Sequence, residues 1–305
     1  MPNVSVIMST YKEDPALVEA AVDSILNQTY SNLELLVVID CPDNYAIQAL
    51  LDQKQQEDGR VVIIRNEENL GLAMSLNKAL RVARGQFICR MDADDISMPN
   101  RIESQLAYLT VHDLDLIGGR MTVISESGDR LYDIPQPPTR PESVKRALRW
   151  NNCVPHPTWF GKATVFEQAY RTIPLCEDYD FLLRASMTNC KIGNCDEIVL
   201  KYRMTSESVS RTSLFKQFLY QRFITKEFKK GSIANLKNAS IYVVDNYSDS
   251  KANRYAKANN LFNEALVGLK AHKPMRAVRP SVQLLFCSAN YLDKILRLII
   301  VSIIS

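Results

Sequence analysis

Apolar runs alternate with amphipathic segments through the first third of the chain. Each short apolar run has the length and composition of a buried β-strand. The segments between them repeat apolar side chains at helical spacing. Strands and helices that alternate in this way predict a parallel sheet with right-handed crossovers. The predicted strands lie at 4–8, 33–39, 61–64 and 87–91, and the predicted helices at 16–27, 45–56, 75–84 and 99–112.

Polar residues follow these strands at their C-terminal ends. They are Thr10-Tyr11, Asp40, Arg65-Asn66 and Asp92-Ala93-Asp94-Asp95. Ligands of such sheets bind beyond the carboxyl ends of the strands, so we expect these residues to meet in one crevice. The last group places three carboxylates within four positions, which repel one another unless water or a divalent cation neutralises them. It predicts a metal and nucleotide site, because a cation on one or two carboxylates also binds phosphate oxygens.

The remainder of the chain is less regular. Residues 116–125 are typical of a strand pair before a turn, and the prolines of 134–141 predict an extended loop. Short helices are predicted at 142–150 and 179–187, with acidic residues just before the second, where the helix dipole favours them. Beyond about residue 213 the pattern is helical and more basic.

Composition narrows the class of protein. The 305 residues are 46% hydrophobic and 23% charged, as in a folded soluble protein, and the net charge of +3 predicts no nucleic-acid partner. Seven cysteines without a Cys-x-x-Cys pair favour reduced thiols in a cytoplasmic protein. The first apolar run is too short for a signal peptide.

Seven spaced motifs stand out along the chain: Val4 to Tyr11, Ser24 to Tyr30, Asn69-Leu70-Gly71, Leu76-Asn77, Arg90 to Arg101, Glu177-Asp178 and Tyr202-Arg203. In this order they resemble the motifs of family 2 glycosyltransferases, in particular bacterial enzymes that assemble capsule, O-antigen and exopolysaccharide. The resemblance covers residues 3–211 and implies a GT-A fold, which is an α/β fold with a Rossmann-like, mostly parallel sheet flanked by helices. It also implies a nucleotide-sugar donor, Mn²⁺ or Mg²⁺ and inversion at the anomeric carbon.

The resemblance assigns the donor-binding residues. Asp94 is the metal ligand, and Asp92 contacts the metal and the ribose or sugar. Asp40 accepts a hydrogen bond from uracil, while Thr10 and Tyr11 lie against the base. Alternatives remain for the carboxylates: a solvated acidic loop, a helix N-cap at Asp95, or a turn at Asp40. Further donor contacts are expected from Arg65, Asn69, Arg90 and Arg203, with ordinary surface pairing as the alternative for the first three.

Asp178 is the candidate catalytic base, because inversion needs a carboxylate that takes the proton from the acceptor hydroxyl. It matches the second residue of the family's Glu-Asp motif, and Glu177 is expected beside it. Helix N-capping is the alternative for this pair. His156 either touches the donor phosphates or orients the acceptor, or it is a structural histidine of a loop.

The chain is predicted to divide into a catalytic domain at 1–215 and a helical extension at 216–305. Residues 1–112 are the nucleotide-sugar half and 113–215 the acceptor half. The apolar segment 292–305 is too short to span a bilayer. It follows Lys270, His272, Lys273, Arg276 and Arg279, so it either contacts an anionic membrane surface or packs on the catalytic domain or in a dimer.

These features predict an inverting, metal-dependent hexosyl- or N-acetylhexosaminyltransferase. It is expected to use a UDP-sugar and a lipid-linked oligosaccharide at the cytoplasmic face of the membrane. One alternative is a sugar-nucleotide nucleotidyltransferase. Enzymes of that class are expected to have a glycine-rich first loop, whereas residues 9–13 of this chain contain no glycine. The other alternative, an inactive binding module, is disfavoured by the intact Asp92, Asp94 and Asp178. The sequence leaves the sugar, acceptor, linkage and oligomeric state open.

Overall fold

The structure is a computed structural model that describes residues 2–205, 213–270 and 274–305. The end of the family resemblance, at 206–211, lies outside the described residues. So do His272 and Lys273 of the predicted basic segment.

The first third of the chain forms the parallel part of a twisted sheet. Its strands are β1 (Val4–Thr10), β2 (Leu33–Ile39), β3 (Val61–Arg65) and β4 (Phe87–Asp92), in the spatial order β3-β2-β1-β4. The helices between them are α1 (Pro15–Leu26), α2 (Tyr45–Glu57) and α3 (Leu72–Val82). Strands covered on both faces are mostly apolar, which is why apolar residues predominate in β1 and β2; the buried polar exceptions Ser5 and Glu34 are hydrogen-bonded to each other. The predicted alternation is confirmed.

Local sequence explains where these helices begin. Asp14 caps α1 by accepting the amide of Ala16, and Pro15 occupies the first helical position, where no amide hydrogen is needed. Asn44 caps α2 in the same way, through the amide of Ile47. Gly71 precedes α3 with φ of 79°, a left-handed conformation that glycine adopts without strain. The glycine therefore allows a sharp turn between β3 and α3.

The second third extends the sheet with mixed pairing. The added strands are β5 (Ile96–Ser97), β6 (Leu116–Ile124), β7 (Arg130–Asp133), β8 (Phe160–Lys162) and β9 (Ile192–Arg203). Beyond β4 the spatial order continues β8-β6-β9-β5, and β7 pairs with β6. Strands β6 and β9 are parallel, and the other added pairs are antiparallel. The helices are α4 (Arg101–Val111), α5 (Pro141–Ala147), α6 (Ala163–Phe166) and α7 (Glu177–Ser186), with a 3-10 helix at His156–Thr158.

Two expectations for this region need correction. Residues 116–125 are not a strand pair, because they form one long strand whose hairpin partner, β7, follows the turn. Helix α7 begins at Glu177 instead of residue 179, so Glu177 and Asp178 lie in its first turn. Cys176 occupies the N-cap position and makes no side-chain cap. N-capping by Asp178, the alternative to its catalytic role, is therefore wrong.

The C-terminal third is helical, as predicted. It contains α8 (Leu214–Lys229), α9 (Leu236–Asn246), α10 (Asp249–Lys270), α11 (Pro274–Cys287) and α12 (Ala289–Ile304). The predicted domain boundary at 215/216 falls inside α8. Phe215 and Leu219 of α8 belong to the same buried apolar cluster as Tyr179 and Leu182 of α7. Among the described residues, no helix has the length and apolarity needed to cross a bilayer.

Helix α12 packs on the body of the protein through its polar side chains as well as its apolar ones. Arg297 pairs with Asp293 and donates a hydrogen bond of 3.2 Å to the carbonyl of Trp150. The ammonium group of Lys294 lies 5.9 Å from the ring centre of Tyr255 in α10. Packing on the catalytic domain, one of the alternatives for segment 292–305, therefore holds for this face of the helix.

Candidate active site

The acidic loop lies at the carboxyl edge of the parallel strands. Asp92 ends β4 and stands opposite Ser9 of β1 in the register. Its side chain is 30% exposed, Asp94 is half-buried, and Asp95 is completely buried. The three adjacent carboxylates thus occupy different environments, which the sequence pattern did not distinguish.

Burial and mutual repulsion dominate the electrostatics of this loop. Burial, the charge of Asp92 and the charge of Glu13 raise the pKa of Asp94 to about 7. Burial and its two acidic neighbours raise the pKa of Asp95 well above its ordinary value. The three carboxyl groups therefore do not all stay ionised at neutral pH in the protein alone, and a bound cation would favour their ionised forms.

Glu13 is a site residue that the sequence did not reveal. Its carboxylate accepts a hydrogen bond of 2.7 Å from the hydroxyl of Thr10 and one of 2.6 Å from the amide of Tyr11. It therefore fixes the β1–α1 loop, where the base of the nucleotide was predicted to lie. Its charge also acts on Asp94. A glutamate two or three residues after a strand is too common to signal this role.

Asp95 connects the acidic loop to the end of β9. Its Oδ1 accepts the amide of Arg203 at 2.8 Å, while Oδ2 is buried and has no partner among the described residues. The Arg203 side chain donates to the carbonyls of Asp94, at 2.9 Å, and Glu126, at 2.6 Å. Helix α4 begins only at Arg101, so the alternative of Asp95 as a helix N-cap is wrong. Arg203 holds the backbone of the loop through these contacts.

The other strand ends converge as expected. The amide of Asp40 donates to the carbonyl of Thr10 at 2.8 Å. The buried carboxylate of Asp40 accepts the side-chain amide of Asn66 at 2.7 Å and the backbone amides of Leu70 and Gly71 at 2.8 and 2.9 Å. Asp40 thereby shapes the loop that leads into α3. A turn at Asp40 alone, its alternative, does not account for these long-range contacts.

The remaining residues that were predicted to bind the nucleotide-sugar are more exposed. Tyr11 lies on the surface at 38% exposure, beside the crevice. Asn69 is exposed, and its side chain accepts the amide of Gly71 at 3.0 Å. Arg65 is exposed and pairs with Asp52, so ordinary surface pairing, its alternative, is what the structure shows.

Asp178 occupies the opposite wall of the site. Its Oδ2 accepts the side-chain amide of Asn152 at 2.7 Å, and Asn152 is itself fixed by the amide of Val154. Burial raises the pKa of Asp178, while the Tyr179 amide and the charge of Arg90 lower it. Burial and the charge of Asp178 raise the pKa of Glu177 to about 7. The Tyr179 amide and the Asn152 side chain favour the ionised form of Asp178, whereas the charge of Asp178 favours the neutral form of Glu177.

Arg90 lies between the two walls. Its side chain is 2% exposed and its guanidinium contacts the carboxylate of Asp92. Its charge also lowers the pKa of Asp178 and of His156. Nε and Nη1 are buried and lack a partner among the described residues. Surface pairing, the alternative for Arg90, is therefore wrong.

His156 is buried in a small aromatic cluster. Its Nε2 lies 3.0 Å from the hydroxyl of Tyr170, and its ring meets Trp159 edge-on at 4.5 Å. Burial and the nearby charge of Arg90 place the pKa of His156 well below its usual range, so the ring is neutral at pH 7. These contacts support the structural alternative for His156.

Tyr170 is a further residue that sequence reasoning missed. Its backbone carbonyl and amide are both paired, at 2.8 Å each, with the side-chain amide of Asn77 from α3. Helix α3 thereby positions a residue of the predicted acceptor half, 93 positions away. No local signal marks Tyr170, because it lies in an irregular segment.

Helix α7, which carries Asp178, is anchored by a buried ionic cluster. Asp180 is 2% exposed and pairs with Arg171 and Arg184. Arg171 also donates to the carbonyl of Ala234 at 2.9 Å, ahead of α9. The position of the candidate base therefore depends on contacts with the C-terminal third.

The mixed sheet, with a polar crevice at the carboxyl edge of its parallel strands, has the architecture of the GT-A fold. Residues 5–168 match the family described as glycosyl transferase family 2. The chain belongs to this family.

Three similar proteins illustrate the relationship. An O-antigen biosynthesis glycosyltransferase of Escherichia coli is 32% identical over 235 residues, which cover 73% of this chain and 91% of that one. Another E. coli enzyme, a UDP-Glc:alpha-D-GlcNAc-diphosphoundecaprenol beta-1,3-glucosyltransferase, is 28% identical over 250 residues, 79% of this chain and 92% of that one. A mannosyltransferase of Pyrobaculum calidifontis, solved with GDP-Man and Mn²⁺, shares the fold with a TM-score of 0.61, at 19% identity over 97% of this chain and 86% of that one.

Proposed function

We propose that this glycosyltransferase transfers a hexosyl or N-acetylhexosaminyl group, with inversion, from a UDP-sugar to a hydroxyl of a lipid-linked oligosaccharide. The reaction would serve the assembly of a bacterial surface polysaccharide such as capsule or O-antigen. The observation that carries this proposal is the position of Arg90. Its buried charge acts both on Asp92, at the donor edge, and on Asp178, the candidate base.

The donor would bind along the carboxyl edge of the parallel strands. Asp40, Thr10 and Tyr11 would receive the uracil base, and Asp92 the ribose or sugar. Asn69 lies on the loop that Asp40 fixes, at the rim of this crevice. The choice of UDP rests on the glucosyltransferase of E. coli, whose name specifies UDP-Glc.

Asp94 and Asp92 would hold Mn²⁺ or Mg²⁺. Among the described residues, no group of three or more histidine, cysteine, aspartate or glutamate side chains could bind an ion. The pair nevertheless fits such a cation, because Mg²⁺ is usually held by one or two carboxylates together with water and substrate phosphates. The raised pKa of Asp94 supports this assignment, since a nearby cation would relieve the repulsion that raises it. When bound, the cation would stabilise the charge of the leaving diphosphate.

Asp178 would accept the proton of the attacking hydroxyl. The Asn152 amide and the Tyr179 amide orient its carboxylate, and Arg90 favours its ionised form. A single displacement needs no covalent intermediate, so no serine or cysteine nucleophile is required. Glu177 would line the acceptor pocket beside the base.

We also propose that residues 1–112 serve the donor and residues 113–215 the acceptor. The acceptor assignment is supported by the name of the E. coli glucosyltransferase, whose acceptor is a diphosphoundecaprenol-linked sugar. Such an acceptor lies in a membrane, so the protein would work in the cytoplasm as a peripheral protein of the inner face. Membership of the family argues against a nucleotidyltransferase.

The test has two parts. Thermal unfolding is followed with a panel of nucleotide-sugars, each with and without Mn²⁺, because a bound ligand raises the apparent stability. A UDP-sugar and Mn²⁺ together are expected to raise the unfolding temperature by more than the sum of their separate effects, since the diphosphate completes the cation site. Equal Mn²⁺ affinity with and without UDP would contradict the proposed site.

Mass spectrometry then follows transfer from the best donor to a lipid-diphosphate sugar. A product enlarged by one sugar is expected, and the anomeric coupling constant in its NMR spectrum should show the configuration opposite to that of the donor. Donor binding without transfer or hydrolysis would instead support an inactive binding module.

A further inference from the structure

Helix α11 presents an apolar face that the described parts of the chain do not cover. Five exposed apolar side chains between residues 275 and 286 follow one another at intervals of three, four, three and one residues, which places them on an arc of roughly 100° around the helix. The opposite side of the helix is buried through Ala277, Pro280 and Leu284. The exposed side chains are Met275 at 82%, Val278 at 53%, Val282 at 51%, Leu285 at 59% and Phe286 at 85%.

The helices before and after α11 also expose apolar side chains. Val267 near the end of α10 is 67% exposed, and the adjacent Gly268 packs closely against the backbone of Ala277 in α11. Helix α12 carries a second exposed set at helical spacing, Leu296, Ile299 and Ile303. Exposed apolar patches of this kind on a soluble protein mark an interaction surface.

The chain around α11 carries basic side chains without acidic ones. Residues 265–292 contain no aspartate or glutamate, and their lysines and arginines recur every third residue at 270, 273, 276 and 279. Arg276 and Arg279 are exposed and lie along one edge of the apolar arc of α11. An apolar helical face bordered by arginines complements a bilayer whose headgroups are anionic.

A second copy of the chain is a poorer match. In a twofold interface each surface meets its own copy, so Arg276 and Arg279 of the two subunits would approach one another. No acidic residue of the segment would compensate them. In an anionic bilayer the lipid chains would cover the apolar arc, and the headgroups would pair with the arginines at its edge.

We infer that α11 lies in the interface of an anionic membrane with its apolar face among the lipid chains. The inference rests on the proposed function in that a lipid-linked acceptor would be presented there. The next helix, α12, contacts Trp150, two residues before the Asn152 that holds Asp178. We thus extend the predicted membrane contact from 292–305 to α11, because Lys294 and Arg297 of α12 are directed at Tyr255 and Trp150, whereas Arg276 and Arg279 of α11 are exposed.

Sedimentation of the full chain with vesicles tests this inference. We expect binding to vesicles of mixed phosphatidylglycerol and phosphatidylcholine, little binding to phosphatidylcholine alone, and release by salt. Met275→Ser with Phe286→Ser should weaken binding at least about tenfold, since two apolar anchors are lost. Val111→Ser with Val244→Ser is the matched control, at 78% and 75% exposure outside this surface, and should bind as the unmodified chain does.

Arg276→Gln with Arg279→Gln should reduce binding to the anionic vesicles and its salt dependence. Absence of binding by the unmodified chain, or equal binding by the Met275/Phe286 variant, would overturn the inference. So would a dimer in solution that this variant abolishes, because the face would then belong to a second copy. Donor-induced stabilisation is measured on the same proteins. If nucleotide-sugars do not stabilise the protein while vesicle binding is as expected, the proposed function is contradicted and the membrane-binding face is retained.

Discussion

Asp178 combines three properties that a catalytic carboxylate needs. It is fixed by Asn152, it is partly shielded from water, and the charge of Arg90 favours its ionised form. Burial alone would favour the neutral acid. The guanidinium of Arg90 and the amide donors offset part of that effect, although the pKa of Asp178 stays above its ordinary value. Glu177 receives no such side-chain donor from the described residues, and burial and the charge of Asp178 raise its pKa to about 7.

Replacing Asp178 by asparagine should abolish proton transfer and preserve the shape of the site. We expect turnover to fall by about 10²- to 10⁴-fold, the usual contribution of a general base. Donor affinity, measured by calorimetry with Mn²⁺ present, should stay unchanged. Asn152→Ala serves as the control for orientation and should cause a smaller loss. Near-normal turnover of Asp178→Asn would exclude it as the base.

The pH dependence should distinguish Asp178 from Glu177. Asp178 must be deprotonated to act, and its pKa is raised, so activity should fall as pH drops through a value above the ordinary aspartate range. Burial and the charge of Asp178 raise the pKa of Glu177 to about 7, and an amide side chain at this position would mimic its neutral form. Glu177→Gln should therefore keep most activity and leave the acidic limb of the rate profile in place. A loss as deep as that of Asp178→Asn would make Glu177 the base.

At the scale of elements, the site depends on the end of β9. Strand β9 is parallel to β6, and its last residue, Arg203, reaches both the acidic loop and the β6–β7 turn. Three elements distant in sequence are thus joined by one side chain that donates to backbone carbonyls. The contact fixes the backbone of Asp94, so the geometry of the proposed cation site depends on it.

Arg203→Ala should lower the free energy of unfolding by about 2–4 kcal/mol, because charged hydrogen bonds to buried carbonyls are lost. Donor affinity should weaken as well, since the acidic loop loosens. Denaturant unfolding and calorimetry measure the two effects. Arg130→Ala, which removes an exposed pair on the same hairpin, should change neither. Weaker donor binding without loss of stability would instead favour direct contact of Arg203 with the diphosphate.

At the scale of the whole molecule, the sheet separates two apolar cores. One core lies between the sheet and helices α1, α2 and α4, and the other contains α3, α5, α7 and the C-terminal helices. The second core includes Phe215, Phe218 and Tyr255 beside Tyr179 of α7. The helical extension therefore completes the core beneath the candidate base.

A chain that ends at residue 213 should consequently fail to fold stably, because one side of α7 and the ionic cluster at Asp180 would be exposed. We expect poor solubility and no cooperative thermal transition by circular dichroism. The full chain with Val244→Ser, an exposed position of α9, should melt normally and controls for changes in the extension. A soluble, cooperatively folded 1–213 that binds donor would support the division at 215/216 as a true domain boundary.

Sequence patterns were most informative where structure is local. The apolar runs of β1 and β2, the capping residues Asp14 and Asn44, and the acids at the end of β4 all depend on neighbours a few positions away. Helix boundaries were less certain, as the start of α7 at Glu177 shows. The second third was predicted least well, because its strands pair across long gaps that periodicity does not encode.

The sequence by itself determined the parallel half of the sheet, the crevice at its edge and the identity of the charged groups there. Only the tertiary structure decided which of them are buried, and burial sets their charge. It buried Asp95 and Arg90, exposed Arg65, and brought Tyr170 to His156 through Asn77. The physical reason is range: periodicity and capping act over a few residues, whereas desolvation and ion pairing depend on atoms that the fold alone brings together.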